Sequence, residues 1–203
     1  MKKKGLAILC FILTAAWLSG CASTGTSKKV PYRLTPQGMV IWEDEFEFKP
    51  PPPDWKLLRV EEGENDVTFG FMRSDPGPYP SVTTFAYDED PFGCTAASFE
   101  GREREFFKRF LFNAILHFQI LDRKKIQVVG GEGLAVSVEG KDPVKGEKVR
   151  AKVVFGKRGD RIVGFYITQW RPMDASYDLS AFEIFDQFVS SFKFLKKSFY
   201  ETL

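Results

Sequence analysis

The sequence predicts an α+β fold, a three-layer α/β/α sandwich around a mainly antiparallel sheet. Three observations lead there. Apolar residues recur at every second position in several short segments, the mark of strands with one wet face. Twice the period changes to three and four, over about Thr95 to Phe118 and again from Asp178 or Ser180, as in amphipathic helices. Gly-, Pro- and Asp-rich turns join the segments, with no internal repeat and no second linker. Two helices need two sheet faces or one shared face, and three layers are the preferred arrangement. Of 203 residues 43% are hydrophobic, and Phe supplies 21 side chains against 4 Trp and 6 Tyr. So much apolar volume excludes a disordered chain.

Residues 1–20 read as a secretory signal peptide. Lys2, Lys3 and Lys4 form a basic start, and Leu6 to Leu18 is an apolar run broken only by Thr14. That run is too short for a transmembrane helix, which needs about 20 residues. It ends in Leu18-Ser19-Gly20-Cys21, which resembles the lipobox of bacterial lipoproteins. The resemblance implies cleavage before Cys21, a diacylglycerol thioether on its sulfur and acylation of the new amino group. These chains anchor the protein to a membrane, each buried CH₂ contributing about 0.8 kcal/mol. Ala22 stands where Asp would imply inner-membrane retention. For a Gram-negative source it implies the periplasmic face of the outer membrane. Residues 21–38, small and polar at first, read as a flexible tether, and one domain is expected over 39–199. Lys2, Lys3 and Lys4 are three of the 29 basic residues, so beyond residue 20 bases and the 27 acids nearly balance. Such a domain lacks the basic field that non-specific nucleic-acid binding needs.

The elements follow in order. Val40, Trp42, Phe46 and Phe48 share one parity and Glu43, Glu45 and Glu47 the other, which predicts one strand ended by Pro50-Pro51-Pro52-Pro53. Short strands are expected over Trp55–Val60, Val67–Met72 and Val82–Tyr87, around turns at Gly63-Glu64-Asn65-Asp66 and Asp75-Pro76-Gly77-Pro78. The first helix has a stripe of Phe99, Phe106, Phe107, Phe110, Leu111, Ala114, Ile115 and Phe118, with Glu100–Arg104 and Glu105–Arg109 on its wet face. Strands resume over Ile120–Val129 and Leu134–Glu139, separated by Gly130-Gly131-Glu132-Gly133. Lys148–Phe155 and Arg161–Trp170 flank a hairpin turn, Gly156 to Asp160. The last helix carries Leu179, Phe182, Phe185, Val189 and Phe192 as its buried stripe, with Ser180 and Glu183 spaced as a capping box. Phe192-Lys193-Phe194 returns to a sheet.

This order is similar to that of PsbP-like proteins, a superfamily that includes DcrB-like envelope lipoproteins. The residues that carry the resemblance are Phe48-Lys49-Pro50 with Asp54-Trp55, Gly131-Glu132-Gly133-Leu134, and Phe188-Val189-Ser190-Ser191-Phe192-Lys193-Phe194. It covers about residues 40–195, and its motifs are packing and turn features. The resemblance implies a PsbP-like fold and a binding or assembly role, and it transfers no catalytic residue.

No constellation of residues points to catalysis. His117 is the one imidazole, expected at a helix end where it interacts with the dipole. Cys94 at a helix entry is expected to be a small buried hydrophobe, with a reactive thiol or an intermolecular disulfide as alternatives. Asp88-Glu89-Asp90-Pro91-Phe92-Gly93 opens like a calcium loop, but Phe92 and Phe99 occupy ligand positions. Gly130 to Gly133 lacks the residues of a phosphate loop. Arg158-Gly159-Asp160 is expected to be a turn rather than an adhesion motif. Pro50 to Pro53 reads as a stiff crossover that positions Trp55, the alternative being a polyproline rod bound by a partner. Arg123-Lys124-Lys125 and Lys196-Lys197 read as solvated edges. No metal or cofactor is expected. The expected protein is a membrane-anchored envelope lipoprotein that binds a protein partner without catalysis, with Trp42, Trp55 and Trp170 as candidate contact residues. A carboxylate-based hydrolase of an envelope polymer and a carrier of a hydrophobic ligand are the alternatives.

Overall fold

The computed structural model describes residues 32–62, 67–74, 82–89, 116–142, 144–158 and 161–196, all within one compact unit that begins at Tyr32. Eleven strands and one helix are found among them. β1 (Tyr32–Leu34), β2 (Val40–Trp42), β3 (Phe46–Phe48) and β11 (Lys193–Phe194) form a four-stranded sheet in the order β1-β2-β3-β11. β4 (Lys56–Glu62), β5 (Val67–Ser74), β6 (Val82–Glu89), β7 (Leu116–Val128), β8 (Gly131–Lys141), β9 (Lys148–Arg158) and β10 (Arg161–Arg171) form the main sheet, ordered β4-β5-β6-β10-β9-β8-β7. Every described pairing is antiparallel. Helix α1 (Leu179–Ser191) follows β10.

Tyr32–Leu34, inside the expected tether of 21–38, is a strand. Tyr32–Leu34 pair with Val40–Trp42, so the chain is already in a sheet before residue 39. The expected single strand from Val40 to Phe48 is a hairpin. Trp42 pairs with Phe46 across Glu43, Asp44 and Glu45, and a three-residue loop leaves side-chain parity unchanged. That coincidence lets a hairpin imitate one strand. Glu43 and Asp44 take φ of 46° and 57°, and Arg33 holds Asp44 at 2.8 Å.

Of the expected first helix, residues up to 115 lie outside those described, and its last three are strand. Leu116, Phe118 and Ile120 also fit a period of two, so the two patterns overlap there. His117 therefore belongs to β7, not to a helix end. Among the described residues one helix packs on the sheet, and the three-layer arrangement is not observed. The expected turn at Gly130 to Gly133 is tighter. Val129 (φ 49°) and Gly130 (φ 84°) make a two-residue turn, and β8 starts at Gly131.

The core joins both sheets through the helix. Phe48, Phe165, Phe185 and Phe188 are at most 1% exposed. Phe188 meets Phe48 at 5.1 Å, Phe71 at 6.0 Å and Phe165 at 6.2 Å between ring centroids, all edge-on. Phe192, just past the helix, stacks on Phe46 at 4.9 Å. The return of Phe192-Lys193-Phe194 to a sheet is as expected, Phe194 pairing with Phe46. The helix stripe is shifted. Ala181, Phe185, Phe188 and Val189 are buried, whereas Leu179 is 59% exposed. Asp178, not Ser180, caps the helix.

The opposite face of the main sheet holds a second buried cluster, Val136, Val138, Val149, Ala151, Val153 and Phe155, with Trp170 against it. Strand pleating sends these to one side and Lys148, Arg150, Lys152 and Val154 to the side of α1.

Candidate functional site

Two of the three candidate contact residues are core. Trp42 is 4% and Trp55 5% exposed, so neither presents a face to a partner. Trp170 is half-buried against the second cluster. Pro52 accepts a hydrogen bond from the Trp55 amide at 3.0 Å, so the prolines do lead Trp55 into the core. Arg123, Lys124 and Lys125 are exposed on β7, at the end of the sheet order, as a solvated edge requires. Cys21, Ala22, Cys94, Gly159 and Asp160 lie outside the described residues.

Polar side chains gather on the main sheet near the start of α1. Arg73 (β5), Gln169 (β10), Arg150 (β9) and Glu139 (β8) lie in one transverse row, because Arg73 and Gln169 both pair with Thr83, and Arg150 pairs with Gln169 and Glu139. Gln169 is fully buried. Its Oε1 accepts from the Asp178 amide at 2.7 Å and its Nε2 donates to the Asp178 carbonyl at 3.3 Å, so the side chain imitates a strand neighbour. Asp178 then turns its carboxylate to the helix, accepting from the Ser180 amide at 3.0 Å and hydroxyl at 2.6 Å. Arg73 donates to its other oxygen. Burial works to raise the Asp178 pKa, but the hydrogen bonds from Ser180 and Arg73 outweigh it and hold the group below its ordinary value. Arg73 also lies 5.0 Å from the Trp55 ring centre.

Beside this staple is a basic and aromatic cluster. The Tyr177 ring has Lys148 Nζ at 4.9 Å and the Arg150 guanidinium at 4.6 Å from its centre. Arg150 is held by Glu139 through two bonds, at 2.8 and 3.1 Å. The Tyr177 hydroxyl is buried and has no hydrogen-bond partner. Burial first, and the Glu139 charge second, push its pKa up to about 12. It is therefore a neutral donor throughout the physiological range. Sequence reasoning missed this cluster. The legible signal was period-two cations at Lys148, Arg150 and Lys152, alternating with Val149, Ala151 and Val153.

A separate open pocket of about 200 Å³ is lined by Lys49, Pro50, Pro51 and Pro52 and by the helix residues Ile184, Gln187 and Phe188. Among the described residues there is no metal-binding group of three or more His, Cys, Asp or Glu. Among them too, no helix is long and apolar enough to cross a membrane.

No family model matches the sequence, and no curated protein matches it. Solved structures with a similar outline include the Ran-binding protein Mog1p of Saccharomyces cerevisiae, 13% identical over 79% of this chain and 93% of that one, TM-score 0.48. LpqN of Mycobacterium tuberculosis, described as involved in cell envelope biogenesis, is 16% identical over 73% of this chain and 82% of that one, TM-score 0.44. The cyanobacterial PsbP of Synechocystis is 15% identical over 85% of this chain and 95% of that one, TM-score 0.43. Likenesses of this size describe an outline and transfer no activity, ligand or partner.

Proposed function

We propose that the chain is a membrane-anchored envelope lipoprotein whose domain binds a partner rather than catalysing a reaction. One observation carries the anchor: Leu18-Ser19-Gly20-Cys21 directly follows a basic start and a short apolar run. The PsbP-like resemblance of the sequence supports the binding role. On this reading Cys21 carries the acyl chains, Ala22 directs the protein to the outer membrane of a Gram-negative cell, and the partner is an envelope protein.

Feeding cells an alkyne-bearing fatty acid tests the anchor. The wild-type chain is expected to become labelled and to fractionate with membranes, and Cys21→Ser to lose both properties. Labelling that survives Cys21→Ser overturns the anchor. Crosslinking in intact membranes tests the binder, which predicts a stoichiometric partner. A turnover on envelope polymers abolished by a single carboxylate substitution overturns it.

A further inference from the structure

We draw no further inference here: the strongest candidate, the open pocket lined by Pro50, Pro51 and Pro52 and by Ile184 and Phe188 of α1, is an apolar cleft, and nothing in the structure shows what covers it.

Discussion

At the scale of single residues, two glycines decide how closely β7, β8 and β9 approach. Gly133 and Gly156 are register partners, and Val128 folds over both. A Cβ on Gly133 would lie 2.4 Å from the Phe155 carbonyl oxygen and 2.4 Å from Val128 Cγ1. The first is backbone and cannot turn away. Gly133→Ala is therefore expected to cost about 3 kcal/mol, measured by urea denaturation. Gly146 is the contrast. It has open space but a φ of +69°, so Gly146→Ala costs only the backbone strain, about 1 kcal/mol. The sequence announced Gly130, Gly133 and Gly156 as turn formers, which is true of Gly130 and false of Gly133 and Gly156, both of which lie within strands. Composition cannot distinguish a glycine needed for φ from one needed for space. The buried Gln169 was illegible for a similar reason. A polar residue in a strand reads as solvent-facing until the loop that it binds is folded over it.

At the scale of elements, periodicity recovered most strands and the last helix, and failed where two patterns coincide. The β2–β3 hairpin imitates a strand because its loop preserves parity, and residues 116–118 satisfy both helix and strand spacing. The cap of α1 was legible only as a choice, since Asp178 and Ser180 are both good caps. The geometry chooses Asp178, because Gln169 fixes its backbone and Arg73 its second oxygen. Asp178→Ala is expected to cost about 1–2 kcal/mol at pH 7. The folded-state pKa of Asp178 is lowered. Its contribution is therefore fully present above the unfolded value of about 3.9 and is lost as pH falls through the folded value. Urea titrations of wild type and Asp178→Ala should accordingly differ most at neutral pH and converge below about pH 3.9. A gap that widens on acidification would contradict the network.

At the scale of the whole molecule, the abundance of Phe announced one large core, but not that the core joins two sheets. That fact depends on long-range register. Phe48 lies in the small sheet and Phe71 and Phe165 in the large one, and Phe188 of α1 touches all three. The helix is thus the shared wall of both sheets, which is why its stripe turns toward Phe188 and away from Leu179. The described part of the chain should then unfold as one unit, because neither sheet keeps its apolar face covered once α1 departs. Phe188→Ala is expected to cost about 3–5 kcal/mol, since the residue is 1% exposed and its neighbours are rings that cannot collapse into the space. The loss should fall on both sheets together. Urea unfolding followed by tryptophan fluorescence and by far-ultraviolet circular dichroism should give coincident transitions for the wild type and for the variant. Two separated transitions in Phe188→Ala would mean that the small sheet holds itself together without the helix. The aromatic cluster would then be a contact between independent parts rather than their common core.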